Sequence, residues 1–305
     1  MSIQLVNQYV IQYSTNIELL SQQQGSRLAM AVRTGNHQGK QASPVDQFGA
    51  LNAQRVTGRL EPKSRTDAPA DRRWVFPADY DLSQYVDSFD KLRLFTDPGS
   101  AQVESGTNAM ARAKDDEIIA AFFADAKTGE SGGTTVTFGT TVTTSAGGRN
   151  VSVNTGGTAS GLNVAKLREG KKTLGKAEVN IETDPLYMAA GMTQLDNLLG
   201  EAQVTSADFN QPDRPVLQEG IITRFLGINF VRSERLGTGT DDASGTSTPC
   251  ALWAKSGMYL GTWNESSPSM NQRRDLRGEP WEVYHMMTLG ATRLEEVKVL
   301  RVWCR

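Results

Sequence analysis

The sequence predicts a mixed α+β fold in which strands and turns outweigh helix. Glycine is abundant, with 29 residues among 305, and aromatic residues make up only 7%, a composition that favours sheets and loops over a helix bundle. One segment, residues 107–127, nevertheless has the spacing of a long amphipathic helix. A block near residues 186–236 then combines buried strands with a short helix, as α/β structure does.

Charge, length and cysteine content exclude several classes of protein. The formal net charge is −2, with 32 Lys+Arg against 34 Asp+Glu, which argues against binding nucleic acid through a basic surface. The longest continuous apolar run, residues 118–124, is far shorter than the ~20 residues of a membrane-spanning helix. Two cysteines, Cys250 and Cys304, cannot build a disulfide framework, and we expect two reduced thiols, with a single bridge as the alternative.

The N-terminal segment predicts a helix that needs a partner surface. Apolar residues recur at gaps of three and four from Ile3 to Leu20, which places them on one helical stripe. A lone helix of this kind is marginal in water. It packs either on its own domain or on a neighbouring subunit, and the sequence leaves both alternatives open.

Residues 55–86 predict a long β-hairpin with a charged tip. The part from 55 to 73 has six basic and three acidic residues and little apolar surface, so it cannot bury itself. The part from 73 to 86 alternates and is rich in aromatic and β-branched residues, as strands are. Because the basic part has no aromatic residue for base stacking, we expect its charges to pair with charges on another subunit.

The helix that follows has the clearest periodicity of the chain. Ile118, Ile119, Phe122 and Phe123 recur at helical spacing, and the acidic run 115–117 is expected to form a solvated face. This helix should begin after Gly106 and Thr107 and end by Gly129.

The rest of the sequence predicts a succession of short helices and strands. We expect a β-hairpin between residues 134 and 153 across a Gly-rich turn, and a second helix over residues 162–177. A buried strand, a short Leu-rich helix and two strands that meet at Gly227 form the α/β block. A second flexible patch covers residues 237–249, and the chain ends in two strands, WEVYHMMTL and EEVKVLRVWC.

No candidate for catalysis or ligand binding has the residues that it needs. The stretch 170–173 ends like a phosphate-binding loop, but Ala165 stands where that loop requires glycine. His37 lies in a polar loop. His285 alternates with apolar residues in a strand, where a packed, hydrogen-bonded ring is the expected role. No Cys or His has metal-ligand spacing.

Acidic pairs do not change this conclusion. Asp79 and Asp81 point the same way from a strand, and Asp241 and Asp242 sit in a loop. Neither pair has the further ligands that a metal ion requires. We therefore expect no catalytic, cofactor-binding or metal-binding residues in this chain.

Four segments carry a resemblance to a known family. They are GIITRFLGINFVRSERL at 220–236, DPLYMAAGMTQLDNLLG at 184–200, GGTASGLNVAKLREGKKTLGKAEV at 156–179, and LGATRLEEVKVLRVWC near the C-terminus. Together with the order arm, extended hairpin, long helix and α/β block, they resemble the major capsid proteins of tailed bacteriophages, which have the HK97 fold. The resemblance covers almost the whole chain, and its motifs are structural.

The resemblance implies a division into the parts of an HK97-like subunit. These are an N-terminal arm (1–45), an E-loop (46–86), a peripheral domain with a spine helix at about 105–127 and a Gly/Thr-rich hairpin (87–182), an axial α/β domain (183–262), and return strands of the peripheral domain (263–305). Where family members cross-link covalently, an E-loop lysine attacks an asparagine next door. Lys63 is the only lysine in this E-loop, and a plain surface lysine is its expected role.

The resemblance also implies a function. It indicates a structural protein, not an enzyme, that self-assembles as pentamers and hexamers into an icosahedral head shell enclosing double-stranded DNA. Implied partners are other copies, portal and scaffolding proteins, and decoration proteins, with only non-specific proximity to packaged DNA, no membrane and no cofactor. Because the arm begins almost at Met1, a separate scaffolding protein is expected. Location is the virion, after assembly in the host cytoplasm.

Three alternatives remain at the level of the sequence. One is the shell of a bacterial nanocompartment of the same fold, which encloses cargo enzymes. Another is a soluble α/β enzyme with an unrecognised site. The last is another β-rich phage component, such as a tail tube or decoration protein, against which the helix at 107–127 counts.

Overall fold

The computed structural model describes residues 20–55, 58, 65–86, 99–139, 149–201, 204 and 222–305. Within this part of the chain the α-helices are Gly99–Phe123 (α1), Val164–Lys176 (α2) and Met192–Leu199 (α3). The strands are Arg33–Asn36 (β1), Ala42–Phe48 (β2), Ala70–Val75 (β3), Ala78–Val86 (β4), Ala126–Thr128 (β5), Thr134–Val136 (β6), Asn150–Val151 (β7), Leu186–Ala190 (β8), Arg224–Phe225 (β9), Ile228–Arg232 (β10), Gly239–Thr240 (β11), Thr246–Ala254 (β12), Met258–Gln272 (β13), Trp281–Arg293 (β14) and Val299–Cys304 (β15).

These strands form three sheets. The largest has the order β7-β15-β12-β8-β10-β9, with β11 paired to β12. In it β8 and β10 are parallel, whereas β12 is antiparallel to both β8 and β15. A second sheet has the order β2-β3-β5-β6, and a third the order β1-β13-β14-β4. The predicted mixture of α and β structure, with strands in the majority, is confirmed.

Contacts divide the chain into two compact units. The first comprises residues 1–26, 79–113 and 264–288, and the second comprises residues 27–78, 114–263 and 289–305. Each unit is discontinuous in sequence, since its parts come from near the start, the middle and the end of the chain. The largest sheet and the β2-β3-β5-β6 sheet lie in the second unit.

Helix α1 begins and ends earlier than its apolar pattern predicts, at Gly99 and Phe123. Its first turns contain small polar residues that show no apolar stripe. Gly106, predicted to precede the helix, lies inside it and against the ring of His285, so that a Cβ atom there would overlap the imidazole. The helix ends where Arg293 donates to the carbonyl oxygens of its last turn, which satisfies acceptors that a helix terminus leaves free.

The centre of the second unit is an aromatic core around α1 and β12. Phe122 and Trp253 are completely buried, and their ring centroids lie 4.5 Å apart. The indole Nε1 of Trp253 donates to the carbonyl oxygen of Ala31 at 2.8 Å, so its polar atom is satisfied inside the core. Phe225, expected in the core, is only partly buried in the short strand β9.

The predicted hairpin between residues 134 and 153 is wrong in its described part. Strand β6 pairs antiparallel with β5, and β7 pairs in parallel with β15, more than 140 positions later in the chain. Two alternating segments that flank a Gly-rich turn predict a hairpin by local pattern alone. The pairing is decided instead by Val151, which is buried beside the C-terminal strand.

The predicted flexible patch at residues 237–249 is an ordered hairpin of β11 and β12. Asp241 holds its turn: the carboxylate accepts hydrogen bonds from the backbone N–H groups of Ala243 (2.9 Å) and Gly245 (2.8 Å), from the hydroxyl of Ser247 and from Arg305 Nη2 (2.9 Å). A Gly/Ser/Thr-rich composition predicts flexibility only where no such buried acceptor organises the backbone.

The hairpin predicted over residues 55–86 is wrong in its described part, because β3 pairs with β2 at residues 42–48 and β4 lies in another sheet beside β14. Several other predicted elements are confirmed. Helix α2 begins with Asn163, whose side chain accepts from the N–H of Lys166 as an N-cap. Gly170 is not a weak point of α2, because it allows close packing: a Cβ atom there would lie 2.6 Å from Leu252. Strand β8, helix α3 and the turn at Gly227 are also as predicted.

Two features of the C-terminal strands qualify the sequence analysis. Trp281, Val283, His285 and Met287 are predicted to share one face of β14; the last three are buried, whereas Trp281 is only partly buried. Val299 and Val302 are buried anchors of β15, but Val297, expected with them, is 42% exposed because it lies in a short 3-10 turn before the strand. The predicted helix at residues 3–20 lies outside the described residues except for Leu20, which is exposed and not helical, and Lys63 also lies outside them.

Candidate functional site

The hairpin of β2 and β3 carries exposed charges that pair within the chain. Arg72 donates from Nε to Asp46 Oδ1 at 2.6 Å and from Nη2 to Asp46 Oδ2 at 3.3 Å. Farther along, Arg65 pairs with Asp67 at 2.9 Å, and both side chains are largely exposed. Arg65 and Arg72, which we expected to pair with charges on another subunit, thus have acidic partners within their own chain. Exposed pairs of this kind are weak, at about 0–1 kcal/mol.

The base of this hairpin is anchored by a buried arginine. Arg73 points inward from β3, with 6% of its surface exposed. Its Nε donates to Gln47 Oε1 at 3.3 Å and its Nη1 to Glu296 Oε1 at 3.4 Å. The Gln47 side chain in turn donates to the carbonyl oxygen of Leu294. The hairpin is therefore joined to the turn between the last two strands.

Glu296 is the shared acceptor of three arginines. Besides Arg73, it accepts from Arg149 Nη1 and, at 3.1 Å, from Arg293 Nε. The guanidinium of Arg293 also donates to the carbonyl oxygens of Ala121 (3.3 Å) and Phe122 (3.0 Å), the residues that end α1. Burial lowers the pKa of Arg73 and of Arg149, and Glu296 only partly opposes this. We call these four side chains together with Arg301 the arginine cluster.

The two histidines occupy packed positions. His37 Nε2 lies 2.7 Å from the hydroxyl oxygen of Tyr259, and its ring packs against Tyr259 and Trp263. His285 is completely buried, as predicted, but the predicted hydrogen bonds are wrong: its two ring nitrogens have no partner among the described residues. Burial lowers the pKa of His285. Among the described residues, neither histidine ring forms a hydrogen bond with a carboxylate, serine or cysteine side chain.

The expectation of a solvated acidic face at residues 115–117 is wrong for Asp115. Its carboxylate is completely buried and accepts the backbone N–H groups of Arg27 (3.0 Å) and Leu28 (3.2 Å). Asp116, one position later, is exposed and pairs with Arg235. The other acidic candidates also have structural roles, since Asp79 accepts from Thr288 Oγ1 at 2.7 Å.

Cys250 and Cys304 are free, completely buried thiols on neighbouring strands. The pKa of Cys250 is raised, because its S–H group donates a hydrogen bond to Cys304 and because burial disfavours the thiolate. Beside them lies Lys166, which the sequence analysis missed. Its Nζ donates to the carbonyl oxygens of Ser160 (2.6 Å), Gly161 (2.9 Å) and Trp303 (2.8 Å), and burial lowers its pKa.

The position of Lys166 on the apolar stripe of α2 was the available signal for its burial, because Leu167, Gly170 and Leu174 surround it on that side. Lys171 and Lys172, in the stretch that only ends like a phosphate-binding loop, lie on the helix. Lys171 donates to the carbonyl oxygen of Leu226, and Lys172 pairs with Glu169. Helical structure there agrees with the rejection of a phosphate loop.

The described residues contain neither a candidate metal site nor a candidate membrane-spanning helix. In the ranges that the structure describes, no three His, Cys, Asp or Glu side chains could together hold a metal ion. Across the same ranges, none of the helices combines the length and apolarity that crossing a bilayer requires. The titratable groups described above hold turns, a helix end and a hairpin base, which are structural tasks.

A family model described as "Phage capsid protein" matches residues 5–305. No curated protein sequence matches the chain. The family match therefore covers nearly every residue, including the four segments on which the resemblance rested.

Solved structures with the same fold include phage capsids. The Cyanophage Pam1 capsid asymmetric unit superposes with a TM-score of 0.74 at 14% identity, covering 98% of this chain and 96% of that one. The acid-stable capsid of Helicobacter pylori bacteriophage KHP30 gives a TM-score of 0.70 at 12% identity, covering 100% and 97%. A chain of Mycobacterium phage Che8 gives 0.70 at 13% identity, covering 97% of each. At these identities the likeness shows the fold, which is HK97-like.

Proposed function

Because this chain belongs to the phage capsid protein family and is a structural major capsid protein of the head shell, we propose that it builds an icosahedral shell around packaged double-stranded DNA. Copies of the chain assemble with one another as pentamers and hexamers. Each contact between copies can be weak, because the shell sums many identical contacts.

The observation that carries this proposal is the extent of the match. The family model covers residues 5–305, and the three similar phage chains above are covered over at least 96% of their own length. A chain that shared only a core domain with capsid proteins would leave long unmatched stretches. The match supports a role for the whole chain in the virion capsid.

We assign the parts of the chain as the resemblance implies. Residues 1–45 serve as the N-terminal arm, 46–86 as the E-loop and α1 as the spine helix. The antiparallel pairing of β2 and β3 and the exposed charges of that hairpin support the E-loop assignment. The α/β composition of residues 183–262, with β8, α3 and β10, supports an axial domain there.

We also propose that the shell is completed by other proteins and performs no catalysis. A portal, a separate scaffolding protein and decoration proteins would contact the shell, and assembly would take place in the host cytoplasm before the shell becomes part of the virion. The structural tasks of His37, Asp115, Asp241 and Glu296 support a protein that works by contacts.

The test is the composition and shape of native particles. Particles that contain this chain should be isolated from a lysate by density gradient and analysed by mass spectrometry and electron cryo-microscopy. We expect the chain to be the most abundant protein of DNA-filled heads and its fold to fit the repeating density of the shell. Particles that enclose enzymes, with no DNA, portal or tail, would instead establish a nanocompartment shell.

A further inference from the structure

Among the described residues, the arginine cluster contains more positive charge than its directly bonded carboxylate neutralises. Glu296 is the one carboxylate that contacts Arg73, Arg149 and Arg293 in the described residues. Glu295 lies next to it in sequence but pairs with Lys298 at 2.6 Å. Four guanidinium groups, with Arg301 included, thus face one directly bonded carboxylate.

The guanidinium of Arg301 packs against aromatic rings, although a carboxylate is the usual partner of a partly buried arginine. Its guanidinium carbon lies 4.3 Å from the ring centroid of Phe123, 4.8 Å from that of Phe138 and 5.2 Å from that of Trp303. Such rings attract a cation but carry no net charge. Burial lowers the pKa of Arg301, and the positive charge of Arg293 lowers it further.

Two N–H donors of the cluster are buried and unpaired. Among the described residues, neither Arg293 Nη2 nor Arg301 Nε has a hydrogen-bond acceptor. Arg293 is only 1% exposed. A buried charged donor without an acceptor is destabilising, so an acceptor that binds there has a large advantage.

The nearest connecting segment cannot supply the missing negative charge. This segment connects Gly139 to Arg149. A Cβ atom at Gly139 would lie 3.8 Å from Cδ of Arg149. Residues 140–148 are TTVTTSAGG and contain no Asp or Glu. The Arg149 side chain is 23% exposed, which leaves the cluster a route to solvent on that side.

We propose that Arg301 and Arg293 bind an oxyanion, a carboxylate or phosphate group with at least two acceptor oxygens. Both groups match the fork of N–H donors that a guanidinium presents. The group has two sources: free inorganic phosphate, or an acidic side chain of a second copy of the chain. The arginines of this site are present in the unassembled chain as well, and only the second source, an acidic side chain of another copy, rests on the proposed shell function.

The first arm of the test uses the unassembled full-length chain. Its thermal unfolding midpoint should be measured in sodium phosphate and in sodium chloride at equal ionic strength. If free oxyanion is the ligand, phosphate raises the midpoint saturably, by at least about 2 °C well above Kd. Arg301→Gln should lose this increment, whereas Arg274→Gln, on the exposed turn after β13, should keep it.

The second arm uses assembly. If a second copy supplies the carboxylate, phosphate has no effect on the unassembled chain, but Arg301→Gln lowers the yield of closed shells at least tenfold while Arg274→Gln does not. A third variant, Arg301→Lys, keeps the charge without the fork and should resemble Arg301→Gln in whichever arm responds. It also serves as the test if Arg301→Gln fails to fold.

A purely structural role for Arg301 predicts a different pattern. Loss of its ring contacts would lower the unfolding midpoint equally in phosphate and chloride. An equal loss of this kind, with no phosphate response of the wild-type chain and normal shell yield, overturns the proposal. Binding of phosphate that survives in Arg301→Gln and Arg301→Lys also overturns it, because the oxyanion then lies elsewhere.

Discussion

Two adjacent acidic residues on α1 show how one position changes the role of a side chain. Successive helix residues point about 100° apart, so Asp115 and Asp116 face different surroundings. The first is buried and bonds two backbone N–H groups, those of Arg27 and Leu28, whereas the second is exposed and pairs with Arg235.

The substitution Asp115→Ala should therefore cost much more than Asp116→Ala. The first leaves two amides in the protein without their acceptor and should lower the free energy of unfolding by about 1.5–3 kcal/mol. The second removes an exposed ion pair and should cost less than about 1 kcal/mol. Urea unfolding of both variants measures the difference, and equal losses would contradict the assigned roles.

Asp241 should make stability depend on pH in the acid range. Hydrogen bonds from Ser247, from the backbone N–H groups of Gly245 and Ala243, and from Arg305 lower its pKa from 3.8 to about 2. The native state therefore binds this proton less readily than the unfolded state. Its stabilising contribution is complete above about pH 4 and is lost as the pH falls through about 2.

We expect Asp241→Asn to lose less stability than the wild-type chain between pH 4 and pH 2. Thermal midpoints of both chains across pH 2–6 give the comparison. Other carboxylates titrate in both chains, so the difference between the two curves isolates Asp241. Parallel curves would show that the turn does not depend on this charge.

At the scale of elements, α1 and β9 contribute unequally to the core. Phe122 of α1 is completely buried against Trp253, whereas Phe225 of β9 is only partly buried. Phe122→Ala should lower the free energy of unfolding by about 3–5 kcal/mol, through lost burial and a cavity. Phe225→Ala should cost about 1 kcal/mol. Denaturant unfolding checks both, and a larger effect at Phe225 would contradict this packing.

The turn between β9 and β10 stores backbone strain. Leu226 has φ +52° and Gly227 has φ +78°, and left-handed backbone is unfavourable for leucine. Leu226 is also 37% exposed, so little packing would be lost. Leu226→Gly should raise the free energy of unfolding by about 0.5–1 kcal/mol, and Gly227→Ala should lower it by about 1–2 kcal/mol. Thermal unfolding of both variants measures these changes in stability, which should have opposite signs.

At the scale of the whole molecule, assembly should depend on the N-terminal arm. Its apolar stripe from Ile3 to Leu20 has no use in an isolated helix. Deletion of residues 1–20 should leave a folded chain, because the contacts of Gln22 with Arg112 and of Gly25 with Asn108 remain. We expect no closed shells, measured by sedimentation and electron microscopy. Normal shells from the shortened chain would show that the arm is dispensable.

The sequence by itself determined the local elements and the family. Periodicity located α2, β8, α3 and the turn at Gly227, because these depend on residues close in the chain. The segment 220–236 pointed to capsid proteins, and the family match confirms it. The absence of catalytic spacing also followed from residue types alone.

Only the tertiary structure decided which distant residues meet. Strand β7 pairs with β15 and not with β6, Asp115 bonds amides 87 and 88 positions away, and Arg73 reaches Glu296 across 223 positions. A local pattern indicates which face of an element is apolar, but the sequence does not distinguish a buried charged residue from an exposed one. Its role depends on the partner that desolvates and bonds it, and folding alone brings that partner into contact.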